Sequence, residues 1–138
     1  MANAPTLAEL AADPSVLLAL EAAWVDSLAG DALSRHEEGG WIYADVLTAA
    51  LAIRRAAPGG RSLIDLDSPP TLPGCVVVAT FHTHPNPKAD GWETGPSRGD
   101  ISSAHFLGVP CIIRAEDGMH TTGPDSRRGG LTGPPGYP

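Results

Sequence analysis

Positive charge and aromatic side chains are scarce in this chain of 138 residues. Nine Lys and Arg residues stand against sixteen Asp and Glu residues, which gives a formal net charge of −7. The only adjacent basic residues are the pairs Arg54-Arg55 and Arg127-Arg128. Because a nucleic-acid backbone is bound through clustered basic residues, this composition argues against DNA or RNA as a partner.

Long apolar runs and a charged leader are also missing. No run approaches the roughly 20 apolar residues that cross a bilayer, and the opening stretch MANAPTLAEL contains no basic segment of a secretory signal. We therefore expect a cytoplasmic protein with no membrane partner. The two cysteines, Cys75 and Cys111, each lie in an apolar run, and we expect both to be reduced and structural.

The length and a hydrophobic content of 42% suit one domain with a buried core, which we place at residues 1–122. The Gly- and Pro-rich segment 123–138 is expected to be a flexible tail. Asp13 followed by Pro14 is typical of a helix start, which predicts a helix over about 13–29. Apolar residues recur at helical spacing within it: Leu17, Leu20, Trp24 and Leu28.

The pattern after this helix predicts mostly strands. Partly alternating apolar residues in 39–55 indicate two strands, and RSLIDLD at 61–67 indicates another. The β-branched run GCVVVATFHTH at 74–84 is typical of a buried central strand. Residues 97–107 are expected to be helical, and a final hairpin is expected around Asp117-Gly118.

Two of the five histidines lie together at the end of the predicted central strand. Side chains two apart on a strand point to the same face, so His82 and His84 could bind one metal ion while Thr83 faces away. A hydrogen-bonded pair of histidines would give the same pattern, since two ligands do not complete a zinc site. The His-x-His pattern alone leaves both interpretations open.

A serine and an aspartate three residues apart follow a loop rich in Pro and Gly. Ser97 and Asp100 match the capping box that opens a helix, which is the ordinary interpretation. The same pair lies on one face of a first helical turn, so Asp100 could supply an oxygen ligand with the Ser97 hydroxyl beside it. Upstream, Glu37 offers the separate base that a hydrolytic zinc site needs, although a surface carboxylate is the ordinary interpretation.

Taken together, these residues resemble a known signature. Glu37 in EEGG, then HTHP at 82–85, then SRGD at 97–100, after an N-terminal helix, are similar to the motif of the JAMM metalloproteases, the MPN-plus or JAB domain family. The resemblance runs from the N-terminal helix to VPCIIRA at 109–115. It implies an α/β fold in which a curved mixed sheet is flanked by helices, the architecture that JAMM domains share with cytidine deaminases.

The resemblance also implies a function. It places one zinc ion per chain on His82, His84 and Asp100, with Glu37 as general acid/base and Ser97 as stabiliser of the oxyanion. The implied enzyme is a zinc metallopeptidase that hydrolyses a peptide or isopeptide bond by zinc-activated water. Its substrate would be a protein or peptide, such as the tail of a ubiquitin-like protein.

The chain departs from the family between the second histidine and the serine. Twelve residues, PNPKADGWETGP, lie there, where the family usually has a shorter connection. Trp92 is the only large aromatic residue in this stretch, and we expect it to contact substrate. Gly39 and Gly40 are further candidates for substrate binding, because glycine allows close approach of a substrate or another backbone.

Other roles remain open for the same fold. A catalytically silent MPN-type binding or scaffold module would keep the fold without turnover, and a JAMM-like effector of a bacterial toxin system would use the chemistry in another context. The intact residue set favours the enzyme, because a scaffold can lose such residues without cost to folding. In the tail, RRGG at 127–130 resembles the end of ubiquitin-like substrates. A flexible terminus without function is the ordinary interpretation, and a tail that inhibits or is cut by a second copy is the alternative.

The other three histidines are not expected to take part in the site. His105 lies about 140° around the predicted helix from Asp100, so it should not reach the metal. His36 and His120 have no partner that the pattern indicates, and we expect both at the surface.

Overall fold

Five strands form one mixed sheet in the computed structural model, which describes residues 3–125. The neighbours β3 and β4 are parallel, and the other neighbouring pairs are antiparallel. The order across the sheet is β2-β1-β3-β4-β5. The strands are β1 (Gly39–Asp45), β2 (Leu51–Arg55), β3 (Cys75–His84), β4 (Cys111–Ala115) and β5 (Gly118–Thr122). The β-branched run is therefore the central strand, as predicted.

Helices accompany this sheet, so the expected α/β class with a mixed sheet flanked by helices is confirmed. Within the described residues the α-helices are α1 (Leu7–Ala12), α2 (Pro14–Asp26) and α3 (Arg98–Leu107). α3 connects β3 to β4, because parallel neighbours need a crossover connection. No helix of residues 3–125 combines the length and the apolar character needed to span a membrane.

The N-terminal helical region divides at Asp13. The predicted helix over 13–29 begins at Pro14, where the Asp13 side chain accepts hydrogen bonds from the first turn, and it ends at Asp26. Leu28 has a φ of 54°, in the left-handed region that a helix does not contain. α1 was not expected, although its start is a capping box of the usual type, formed by Thr6 and Glu9.

The two faces of the sheet are buried by different parts of the chain. One face packs against α1 and α2, where Phe81 of β3 lies with Val16 and Leu20 of α2 in the main core. Side chains alternate along a strand, so Thr80 and His82 point to the opposite face. The candidate site therefore lies on the face away from α1 and α2.

The prediction of a strand at 61–67 is wrong. The Gly60 N–H donates a hydrogen bond of 2.8 Å to the Leu63 carbonyl across a bend at 61–62, and the Leu66 carbonyl accepts one of 2.8 Å from the Trp41 indole. Leu66 is buried against Trp41 and Tyr43 on the second face of the sheet. The apolar pattern of this segment thus reflects side chains that cover the sheet, with no strand pairing of its own.

The hairpin and the third helix agree with the sequence. The predicted helix at 97–107 is α3, and the hairpin around Asp117-Gly118 joins β4 to β5. Both cysteines are free thiols, as expected, with Cys111 buried and Cys75 half-buried. The tail prediction for 127–130 concerns residues outside the described part of the chain.

Two histidines expected at the surface without partners are placed differently. His120 is only 2% exposed, and its Nε2 lies 2.8 Å from Asp117 Oδ1. His36 is half-buried, and its Nε2 lies 2.5 Å from Glu38 Oε2. The prediction for His120 was wrong, because its partner Asp117 is brought close by the β4–β5 turn, which local pattern does not reveal. His36 keeps a partly exposed side chain, and its partner Glu38 lies two residues farther along the segment before β1. His105, by contrast, is exposed on α3.

Candidate metal centre

Three separate elements bring the candidate site residues together. His82 and His84 form the end of β3, and Asp100 lies in the first turn of α3. Glu37 precedes β1, and the antiparallel pairing of Gly39 with His82 places it beside the end of β3. These are the polar residues that the sequence singled out, and the fold gathers them on one face of the sheet.

The ligand atoms of the histidines and Asp100 converge. The two Nε2 atoms of His82 and His84 lie 3.1 Å apart, and each lies 3.0 Å from an oxygen of Asp100. Zinc ligands at 2.0–2.2 Å in a tetrahedral site are separated by about 3.3 Å. The separations are close to that value, so these three side chains could hold one zinc ion, with the Asp100 carboxylate, whose two oxygens each face one ring, as the oxygen ligand.

The hydrogen bonds around the rings also favour a cation. His84 Nδ1 lies 3.2 Å from the Thr94 carbonyl, which can only accept, so that nitrogen carries the proton. The Asp100 carboxylate also only accepts and lies 3.0 Å from His84 Nε2, so that contact needs a proton or a metal ion between the two atoms.

Glu37 stands slightly farther from the centre than Asp100. Its Oε1 lies 4.0 Å from His82 Nε2, and its side chain is buried. Ligand atoms of Glu37, His82 and His84 lie within 4.8 Å of one another, so this group could also hold a metal ion. The shorter distances of Asp100 to both rings suit a direct ligand, and the longer one of Glu37 suits a base beside the metal.

The surroundings set the ionisation of the two carboxyl groups in opposite directions. Burial raises the pKa of Glu37, and the nearby His82 and His84 only partly oppose this. Burial would also raise the pKa of Asp100, but the charges and hydrogen bonds of His82 and His84 outweigh it and hold that pKa far below its usual value. The two shifts favour Asp100 as the anionic partner of the histidines and Glu37 as the group that exchanges a proton.

Ser97 and Asp100 form the capping box of α3 and also belong to the candidate site. Ser97 Oγ accepts a hydrogen bond of 3.1 Å from the Asp100 backbone N–H, and Asp100 Oδ2 accepts one of 2.8 Å from the Ser97 N–H. This is a complete capping box. The box fixes the Asp100 carboxylate next to the histidines, and the hydroxyl hydrogen of Ser97 is left to donate toward a ligand.

Two clefts meet at these residues. The larger, of about 420 Å³, runs between the segment Ser62–Asp67 and α3, and Glu37, His82, Ser97 and Asp100 contribute to its wall. The smaller, of about 170 Å³, lies on the other side of Glu37 and Ser97, where Trp92 forms part of the wall. Trp92 is 42% exposed. The two clefts share Glu37, Ser62 and Ser97 in their walls.

Gly39 and Gly40 lie within β1, where neighbouring strands approach closely. A Cβ atom on Gly39 would lie 2.2 Å from the Phe81 carbonyl oxygen, and one on Gly40 would lie 2.0 Å from the Arg54 carbonyl oxygen. Both glycines are buried, and neither lines the two clefts. The sequence left two reasons for these glycines, contact with substrate or close approach of another backbone. In the structure a neighbouring backbone approaches both of them.

Two residues that support the histidines were not identified from the sequence. Thr94 holds His84 Nδ1 through its backbone carbonyl, and the sulfur of Cys111 lies 3.3 Å from His82 Nδ1. Any residue has a carbonyl, so no sequence signal marks Thr94. Cys111 reaches His82 because β4 runs parallel beside β3, which only the strand order reveals.

A comparison of the chain with protein-family models, curated proteins and solved structures finds no match. Inferences about function therefore rest on the geometry and chemistry of the site.

Proposed function

We propose that this protein is a zinc-dependent metallopeptidase that hydrolyses a peptide or isopeptide bond in a protein substrate. The observation that carries the proposal is the convergence of His82, His84 and Asp100 at zinc-ligand spacing, with the buried Glu37 beside them. Closed structural zinc sites use four protein ligands, whereas catalytic sites use three and keep a position open. The resemblance to JAMM metalloproteases agrees with this assignment.

Each residue then has a task that its surroundings favour. Zinc, when bound, lowers the pKa of a coordinated water to about 7 and polarises a substrate carbonyl. Glu37, with its pKa raised by burial, can accept a proton and return it to the leaving amine. Ser97 can donate its hydroxyl hydrogen to the oxygen on which negative charge develops.

The clefts favour an extended chain as substrate. The larger cleft would hold the acyl side of the scissile bond, between the Ser62–Asp67 segment and α3, and the smaller cleft would hold the amine side near Trp92. Glycine residues next to the scissile bond suit such a site, because they have no side chains to exclude. The Gly-Gly tail of a ubiquitin-like protein is therefore the proposed class of substrate.

Metal analysis and activity on defined variants test the proposal. The full chain should bind zinc and cleave a fluorogenic peptide amide that ends in Arg-Gly-Gly. His82→Ala and Asp100→Ala should lose both zinc and activity, because two protein ligands compete poorly with water. Glu37→Gln should keep zinc and lose activity by about 10²–10⁴-fold. His105→Ala, which removes an exposed histidine of α3, is the matched control and should behave as the unaltered chain.

Two results would contradict this assignment in different ways. If Glu37→Gln lost zinc and Asp100→Ala retained it, the assigned roles would be reversed, with Glu37 as the ligand and Asp100 as the base. Zinc binding without cleavage of the Gly-Gly amide, or of ubiquitin-like proteins joined to lysine, would favour the silent binding module.

A further inference from the structure

The loop that lengthens the connection between the histidines and Ser97, residues 85–96, is fastened to the β4–β5 turn. Thr94 Oγ1 donates a hydrogen bond of 2.7 Å to Asp117 Oδ2, and Lys88 Nζ lies 2.7 Å from the same oxygen. The Lys88 backbone N–H also donates to Glu116 Oε1 at 2.8 Å. The loop therefore has a defined position relative to the sheet.

Thr94 lies where this loop meets the candidate metal centre. It is 4% exposed, its carbonyl faces His84 Nδ1 at 3.2 Å, and its hydroxyl is bonded to Asp117. The two groups belong to one residue, so a shift of the hydroxyl also shifts the carbonyl. Asp117 is thus connected to His84 Nδ1 through a single residue, Thr94.

The Asp117 carboxylate is itself held at both oxygens. Oδ1 lies 2.8 Å from Nε2 of the buried His120 in β5, and Oδ2 receives Thr94 and Lys88. Partial burial would raise the pKa of Asp117, but the hydrogen bonds of Lys88, His120 and Thr94 outweigh it and hold that pKa well below its usual value. The Lys88 side chain is 59% exposed, so its ion pair adds little to stability. The buried contacts to His120 and Thr94 are those that fix the carboxylate.

We propose that Asp117 is a positioning residue for the metal centre and acts through Thr94 on Nδ1 of His84. A hydrogen-bond acceptor on the ring nitrogen that does not bind the metal fixes the ring and strengthens the other nitrogen as a ligand. In this chain a loop residue supplies that acceptor, and Asp117 holds the loop residue in place. The inference depends on the proposed zinc site but not on hydrolysis.

Zinc affinity of the full chain, measured by competition with a chromophoric chelator, tests this role. Thr94→Val, which removes only the hydroxyl, and Asp117→Asn should each weaken zinc binding by about tenfold, at the lower end of the effect of such partners. Thr94→Ser keeps a hydroxyl and should retain the affinity of the unaltered chain. Asp90→Asn is the matched control, because Asp90 is on the same loop but pairs with Arg35 at 3.3 Å.

A second measurement separates this inference from the proposed function. Histidine nitrogen NMR of the metal-free chain should show the His84 proton on Nδ1, protected from exchange, with faster exchange in Thr94→Val and Asp117→Asn. Unchanged zinc affinity in both variants, or a His84 proton on Nε2 of the neutral ring, would overturn the inference. If the chain bound no zinc, the proposed function would fail, while the exchange of the Nδ1 proton would still decide whether Asp117 positions His84. Should a variant fail to fold, the tautomer in the unaltered chain decides.

Discussion

The replacement Gly39→Ala tests whether this glycine is required by packing or by substrate. A Cβ atom there would lie 2.2 Å from the Phe81 carbonyl oxygen and 2.7 Å from His82 Cβ. An ordinary contact is 3.4–4 Å, so the approach to the carbonyl is too short by more than 1 Å. The obstructing oxygen belongs to the backbone and cannot rotate away, so β1 and β3 must separate beside His82, a proposed zinc ligand.

The size of the effect follows from this overlap. Overpacking a well-packed region costs typically about 1–3 kcal/mol, and a clash with backbone should lie at the upper end. For a chain of this size, about 3 kcal/mol of unfolding free energy corresponds to a fall in Tm of about 10 °C. Zinc affinity should fall as well, since His82 is the residue opposite Gly39 in the sheet.

Thermal unfolding of the metal-free chain and chelator competition are the two measurements. Gly99→Ala is the matched glycine control, because a Cβ there would lie 3.6 Å from Ser97 Oγ, in ordinary contact. Alanine in a helix is favoured over glycine by about 0.5–1 kcal/mol, so Gly99→Ala should leave Tm unchanged or raise it. A normal Tm for Gly39→Ala, combined with a raised KM, would refute the packing role and restore the expectation of substrate contact.

Two further predictions concern the inserted loop and the β4–β5 turn. Trp92→Ala should raise KM and leave Tm within a few degrees, because a side chain 42% exposed contributes little packing; a large loss of Tm with normal KM would make Trp92 a structural anchor instead. The depressed pKa of Asp117 means that its stabilising contribution is present above its unfolded pKa of about 3.9 and is lost as pH falls through the folded value. In metal-free protein, the difference in unfolding free energy between the unaltered chain and Asp117→Asn should be constant from about pH 8 to pH 5 and shrink below about pH 4; a constant difference down to pH 2 would contradict this.

Elements with strong local signals were predictable from the sequence. β3 follows from an apolar β-branched run, and α3 from the capping residues Ser97 and Asp100, because both signals act over a few neighbouring residues. The segment 61–67 misled the prediction, since an alternating apolar pattern arises equally when side chains cover a sheet and when a backbone joins it. Hydrogen bonds to the Leu66 carbonyl from Trp41, 25 residues away, decide that case and leave no local trace.

In the candidate site, too, some residues were predictable from local spacing and others were not. His82, His84 and Asp100 were identifiable because each pair or motif has a fixed spacing on one element. The positions of Glu37 and Cys111 beside them depend on strand register and order, and the role of Thr94 depends on a carbonyl that every residue has. The proposed ligands are thus visible in the sequence, whereas the residues that contact them become visible only once distant elements are brought together.

The capping box at α3 shows why the structural and functional interpretations of a motif need not compete. Asp100 Oδ2 accepts from the Ser97 N–H at 2.8 Å and lies 3.0 Å from His84 Nε2, so one oxygen serves the helix start and the site. The helix terminus holds the carboxylate beside the two histidines, in an orientation that would suit the proposed metal ligand. Because capping contributes about 1 kcal/mol of its own, folding alone sets this ligand in place, and zinc binding does not have to order it.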